Sequence, residues 1–259
     1  MDAWAEVSAK YDRAQKHIND LEACLDAFRK SNPYTIGEKR DAQAGKMTYY
    51  LASVRDIPPD IPLILGDALQ NLRSTLDHLV WKIVERAGGT PGTHTGFPIF
   101  DDAKGYDALA PGKVEGAGQY AIEAINRLNP YKAGNHYLWM LHRLNNIDKH
   151  RLLLTVCHAK FGHSMTPSEQ EEFLRKRGEA GGRTGTRYEV SYTQSPPAAL
   201  HAGDELRTVP LSEADQNVGI VIDIAINEHD VAKGEPLTLL LGFLRMEVSL
   251  VINDLERFV

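Results

Sequence analysis

Three segments of the chain carry apolar residues at alternating intervals of three and four positions, the spacing of an amphipathic helix with one buried face. They cover residues 4–28, 65–83 and 237–258. The first should end before Ser31-Asn32-Pro33, and the second should begin near Asp60 and stop at Gly88-Gly89. Long helices with matching apolar faces pack at shallow angles, so these segments predict a helical bundle.

Shorter segments between the long helices complete the predicted fold. Helical spacing recurs over residues 118–128 and 135–148. Alternating or β-branched runs predict strands at residues 47–56, 151–158, 188–193, 205–209 and 218–227. The chain should therefore be α+β and predominantly helical, a bundle of about five helices with a small antiparallel sheet. We expect one domain over residues 1–259, with an insertion at residues 160–217.

Composition narrows the class of protein. The 259 residues include 29 Lys+Arg and 35 Asp+Glu, for a net charge of −6, which disfavours non-specific coating of duplex DNA. Two cysteines exclude a disulfide framework and a zinc site of four sulfurs. Arg245 and Glu247 interrupt the longest apolar stretch, and the first residues lack the pattern of a secretory signal. We therefore expect a cytoplasmic protein that does not enter membranes.

The densest basic patch lies in the predicted insertion. Arg175, Lys176 and Arg177 end a candidate helix at residues 168–177, and Arg183 and Arg187 follow in a glycine-rich loop at residues 178–187. Four glycines in this loop predict a mobile surface segment. It is either a solvated loop or an arm that contacts a phosphate backbone.

A polar stripe runs along the helix predicted at residues 65–83. At 100° per residue, its members fall within about 60° of one another, roughly opposite the leucines. They are Asp67, Asn71, Ser74 and His78. Arg73 and Asp77 lie between this stripe and the apolar face. The stripe is either the water-facing side of the helix or part of a site, and the lack of Lys and Glu before Lys82 is unusual for a water-facing side.

The segment Arg73-Ser-Thr-Leu-Asp-His78 resembles the motif of the HEPN superfamily (higher eukaryotes and prokaryotes nucleotide-binding), an arginine followed after four to six residues by a histidine. This resemblance implies a helical bundle that forms a homodimer, and a metal-independent ribonuclease of a bacterial defence or toxin system. Arg73 would then hold the scissile phosphate. His78 would transfer protons to and from the RNA oxygens. No metal or cofactor is implied.

A second constellation occupies residues 136–151, where three histidines suggest a metal site. His142 and His150 lie two helical turns apart, about 12 Å along the axis, so one ion cannot bind both. We instead expect a site formed jointly with the helix at residues 65–83, where Trp139 or Trp81 could stack on a base. The candidate substrate-binding residues are Asn71, Ser74, Asp77, His142, Asn146, Lys149, His150 and Arg151. Alternatively, these side chains only cap a helix and satisfy buried carbonyls.

Together with residues 66–81 and 145–151, the segment Gly96–Phe97–Pro98–Ile99–Phe100 also resembles a group of bacterial proteins of unknown function, which implies a shared fold. Two function hypotheses follow. The first is a HEPN-like endoribonuclease or RNA- or nucleotide-binding protein. The second is a non-catalytic protein-interaction module whose end helices mediate assembly. A small-molecule enzyme with its site at His142 and His150 is a further possibility.

Overall fold

The computed structural model describes residues 3–163, 193–194, 200–212, 214 and 218–259. Six helices lie in this part of the chain, and the predominantly helical α+β class predicted from the sequence is confirmed. The helices are α1 (Ala3–Lys30), α2 (Asp60–Arg86), α3 (Ala103–Lys113), α4 (Gln119–Arg127), α5 (His136–Asp148) and α6 (Leu237–Leu255). A 3₁₀ turn, Glu256–Phe258, follows α6. None of these helices combines the length and hydropathy that a bilayer crossing requires.

The described strands form two small sheets instead of the single sheet expected. They are β1 (Tyr34–Asp41), β2 (Lys46–Val54), β3 (Thr155–His163), β4 (Thr193–Gln194), β5 (Glu205–Pro210), β6 (Val218–Glu228) and β7 (Ala232–Pro236). One sheet has the order β1-β2-β5, and the other has the order β4-β3-β6-β7. The hairpin of β1 and β2 is antiparallel and pairs Tyr34 with Val54, and its turn uses Gly45 at a φ of 65°.

The chain divides into two compact units, Met1–Arg29 with Pro58–Thr155 and Ile226–Val259, and Lys30–Ile57 with Val156–Ala225. The first contains the helical bundle, whose core is formed by the apolar faces of α2, α5 and α6. The second has a smaller core of Leu51, Cys157, Leu206 and Ile222. The candidate helix at residues 168–177 and the basic loop at residues 178–187 lie outside the described residues.

One predicted strand needs a correction at its start. The sequence places a strand at residues 151–158, whereas β3 begins at Thr155. The preceding residues are used differently, because Arg151 and the amide of Leu154 both bind the carboxylate of Glu228. The Leu154 amide is therefore used by a side chain, while the Leu154 carbonyl accepts from the Asn227 amide just before β3 begins.

Candidate functional site

The candidate site lies along the contact between α2 and α5, both in the first unit. At one end, the Asp148 carboxylate rests against Gly66, where the Cβ of any other residue would collide with it. Burial, with a smaller contribution from Asp67, raises the pKa of Asp148. At the other end, His142 lies within electrostatic reach of Arg73. The two helices therefore run antiparallel, and the structure brings residues of both polar faces together as a seam.

Arg73 is clamped within its own chain. Its Nη1 donates to Asp77 Oδ1 at 2.6 Å, and its Nη2 donates to the Phe97 carbonyl at 2.8 Å. The Phe97 amide donates to the same Asp77 oxygen at 2.9 Å. Gly96 permits this approach, because a Cβ there would lie 2.7 Å from Asp77 Oδ1. The side chain of Arg73 is only 11% exposed. Within a single chain, its hydrogen bonds therefore hold the 96–100 segment against α2.

His142 is neutral in this environment. Burial, and then the positive charges of Arg73 and Lys149, lower its pKa to about 4 from 6.5, against an opposing effect of Asp77 and Asp101. The Asn146 amide nitrogen lies 3.0 Å from Nε2, so Nε2 is the acceptor and the proton resides on Nδ1. Among the described residues, the buried Nδ1 has no hydrogen-bond partner.

We expect the His142 environment to make stability depend on pH. The pKa of His142 in the folded chain lies below 6.5, the ordinary value that applies to the unfolded chain. As the pH falls, the unfolded chain therefore takes up a proton before the folded chain does. Stability should therefore be lost between pH 6.5 and about 4, by on the order of 2 kcal/mol. Urea titrations of wild type and His142→Gln at several pH values measure this difference. His150→Gln removes an exposed histidine and should keep the wild-type profile; equal profiles for all three proteins would contradict the assignment.

Trp139 is not available for stacking on a base as placed. Its Nε1 donates to Asp101 Oδ1 at 2.8 Å, the ring of His136 stacks on it at 5.3 Å, and Lys132 lies 4.6 Å from the ring centroid. Arg143 lies 3.8 Å from Asp101 at the same rim. The other candidate, Trp81, is exposed and donates to Glu85. At this rim of the seam, the exposed side chains of Lys132 and Arg143 therefore lie around the indole of Trp139, which is itself covered.

The structure does not bring every candidate residue to the seam. His78 follows Arg73 by five positions, which places it about 140° further around α2. It is half-buried and has no hydrogen-bond or ion-pair partner among the described residues. Asn71 donates to the Asp67 carbonyl, and Ser74 binds Gln70. At 100° per residue, both lie within about 40° of His78 around α2 and belong to its face. One chain alone therefore does not place Arg73 and His78 in a common cleft.

The end of α5 separates two further candidates from the seam. His150 is exposed beyond the helix. Arg151 donates to both carboxylate oxygens of Glu228, at 2.9 and 2.7 Å. In the described structure, Arg151 therefore neutralises a buried acid. Lys149 remains near His142, whose pKa it lowers.

Sequence reasoning missed one buried polar residue of α5. Asn145 is 1% exposed, and neither polar atom of its side chain has a partner among the described residues. The burial of this position could have been predicted, because Leu138, Leu141 and position 145 continue the apolar spacing of three and four residues. The pair Asn145-Asn146 instead suggested a helix end. Among the described residues, no group of three or more His, Cys, Asp or Glu side chains is placed to hold a metal ion.

The chain matches no family model, no curated protein and no solved structure.

Proposed function

We propose that this protein is a helical interaction module that self-associates through α6. Four large apolar side chains on this helix are exposed, by 42–55% each. They are Leu239, Phe243, Met246 and Leu250, here called the α6 stripe. The opposite face of α6 is buried in the bundle core. A contiguous apolar patch of this kind on a soluble protein marks an interaction surface, and this observation carries the proposal.

The spacing of the α6 stripe favours a second copy of the same chain as the partner. Its members are separated by four, three and four positions, which reads the same in both directions. An antiparallel pair of α6 helices about a two-fold axis would then set Leu239 against Leu250 and Phe243 against Met246. Gly242 lies beside the stripe and has open space around it, which permits close approach of two helices.

Tyr137 extends the apolar patch onto α5. Its ring stacks on Phe243 with centroids 5.3 Å apart and an interplanar angle of 25°. This contact fixes the Phe243 ring in one orientation before a partner arrives. Fixing a side chain in advance lowers the conformational entropy that association must remove. The patch is therefore prepared for contact and is not a row of isolated side chains.

The two-fold arrangement predicts a specific pattern of charge effects. Met246→Glu and Phe243→Lys should each convert a dimer into a monomer at about 50 μM protein, because each buries an unpaired charge at the interface. The variant that carries both changes should recover the dimer, since each lysine would face a glutamate of the second copy. Light scattering and sedimentation measure the mass, and thermal unfolding checks the fold.

Leu109→Glu is the matched control, because Leu109 is a similarly exposed leucine on a different helix, α3. It should leave the mass unchanged. A monomeric wild type, or single variants that remain dimeric, would contradict self-association through α6. A double variant that stays monomeric would contradict the antiparallel register.

A second candidate function is HEPN-like RNA binding with metal-independent cleavage, in a cytoplasmic defence or toxin system. Two observations favour it. Arg73 and Lys149 lie close enough to His142 to lower its pKa, so cationic groups converge at the seam. His78 retains an imidazole without a partner among the described residues. In this proposal His78 accepts the proton of the RNA 2′-hydroxyl, whose oxygen attacks phosphorus. The 5′-oxygen leaves and is protonated, and a cyclic phosphate remains.

Arg73 has only some of its N–H donors left for a phosphate in this chemistry. Two of the five N–H donors of a guanidinium serve Asp77 and Phe97, so phosphate oxygens would have to use the others. A dimer would also be needed to bring Arg73 of one chain near His78 of another. The proposal therefore depends on an assembly, but not on the specific register of α6.

Cleavage of cellular RNA in excess EDTA tests the second candidate. Wild type should cut, and His78→Ala should lose at least about 100-fold in rate, because it removes the acid/base group. His229→Ala removes an exposed histidine paired with Asp230 and should keep full activity. Unfolding curves of all three proteins should coincide. No cleavage by wild type, or equal cleavage by His78→Ala, would remove this candidate and leave the α6 proposal unaffected.

A further inference from the structure

A cleft of about 370 Å³ lies between α3 and α4, and none of its lining residues belongs to the seam or to the α6 stripe. The two helices are joined by the short segment 114–118 and run antiparallel, which the hydrogen bond from Tyr106 to Asn126 across them reflects. The cleft has two chemically different ends. Pro111, Val114 and Ile122 line one end, which is apolar. The volume lies at the lower end of the range of small-molecule sites.

The other end of the cleft is aromatic and polar. The hydroxyl of Tyr106 donates to Asn126 Oδ1 at 2.7 Å, and that of Tyr131 donates to Asn129 Oδ1 at 3.2 Å. The ring centroids of the two tyrosines lie 5.9 Å apart, with the rings tilted by 54°. Because both hydroxyl hydrogens are engaged within the chain, neither tyrosine is free to donate to a ligand, and what remains for a ligand is aromatic surface. Aromatic faces attract cations.

The charge of the lining agrees with this preference. Asp107 is the only ionised side chain among the described lining residues, and it has no ion-pair partner in the described part of the chain. Its charge reaches into the cleft: burial, then Asp107 and Tyr131, raise the pKa of Tyr106 to about 12. An exposed carboxylate that shares a cleft with tyrosine rings, and that makes no ion pair within the described part of the chain, is complementary to an ammonium group.

We propose that the cleft binds an organic ammonium ion with a short apolar or aromatic tail. The ammonium lies between Asp107 and the face of Tyr131, and the tail extends toward Val114 and Ile122. Val114, which directly follows α3, lies seven positions after Asp107, a span of about 10 Å along the helix axis. An arylalkyl amine with a two-carbon linker matches this distance. The proposal is independent of RNA binding and of self-association.

Calorimetric titration with 2-phenylethylamine and 2-phenylethanol tests the proposal, because the two compounds have the same shape and differ in the ammonium group. The amine should bind at least about tenfold more tightly than the alcohol at neutral pH. Asp107→Asn should weaken amine binding about tenfold and leave alcohol binding unchanged. Tyr131→Leu should weaken amine binding as well, because it removes the ring face and keeps an apolar wall.

Glu123→Gln is the matched control, since it removes an exposed carboxylate of α4 that does not line the cleft and accepts from Gln119. It should bind the amine as wild type does. Asp107 is exposed, so its replacement should not change the melting temperature, which is measured alongside. Equal affinity for amine and alcohol, unchanged amine binding in Asp107→Asn, or no amine binding by wild type up to about 10 mM would each overturn the proposal.

Discussion

Replacing Arg151 by methionine should lower the free energy of unfolding by about 3 kcal/mol, because the change leaves the Glu228 carboxylate buried without its cation. Glu228 is 3% exposed and accepts both forked donors of Arg151 together with the Leu154 amide. Only the amide remains in the variant. The expected loss lies at the low end for buried ion pairs, since half of the Arg151 side chain is in contact with solvent. Urea unfolding monitored by circular dichroism measures it.

A second substitution separates loss of the ion pair from loss of packing. In Arg151→Met with Glu228→Gln, no buried charge remains, so the double variant should recover much of the lost stability. Arg143→Met provides the control for an exposed pair. Its guanidinium lies 3.8 Å from Asp101 on the surface, so its loss should change stability by less than about 0.5 kcal/mol. Similar losses in Arg143→Met and Arg151→Met would contradict the special role of Glu228.

The change Asp77→Asn should lower the free energy of unfolding by about 2 kcal/mol, because it removes the countercharge of a largely buried guanidinium. Asp77 Oδ1 accepts from both Arg73 and the Phe97 amide, so the new side chain must serve two donors without a negative charge. The 96–100 segment should open more often as a result. Faster amide exchange at Phe97, measured by NMR, reports this opening locally.

Asp67→Asn is the matched control on the same helix. Asp67 is exposed and raises the pKa of Asp148, so the loss of its charge should leave stability unchanged or slightly higher. If Asp77→Asn and Asp67→Asn lowered the free energy of unfolding equally, the change in net charge would explain both results. If amide exchange at Phe97 stayed at the wild-type rate in Asp77→Asn, the hydrogen bonds of Asp77 would not be what holds the 96–100 segment on α2.

The long helices were predictable because each buries one face, so that apolar residues recur along the sequence at the spacing of a helix. The apolar spacing in residues 4–28, 65–83 and 237–258 places α1, α2 and α6, since each buries one face over many turns. Helix α3 was missed because it has only 11 residues and contains Pro111, so little periodicity accumulates. Its first turn did carry a signal, as the Asp102 side chain caps it by accepting from the Gly105 amide.

The contact between α2 and α5 was predictable, but the hydrogen bonds of the residues along it were not. Two polar helix faces indicated that α2 and α5 meet, and their residue types named Arg73, Asp77, His142 and Lys149. The partners that decide what these groups can do are distant in sequence. The Phe97 carbonyl lies 24 residues from Arg73, and Glu228 lies 77 residues from Arg151. Propensity and spacing describe local structure, so neither of them contains these pairings.

The difference between these two separations bears on the order in which the bundle folds. Arg73 and Asp77 are one helical turn apart, and the Phe97 amide is 20 residues from Asp77, so this contact closes a short loop at small entropic cost. The Arg151–Glu228 pair joins segments 77 residues apart and can form only after the intervening chain is arranged. We therefore expect the contact of Asp77 with Arg73 and Phe97 to form early in folding, and the Arg151–Glu228 pair to form late, so that loss of the pair should mainly speed unfolding.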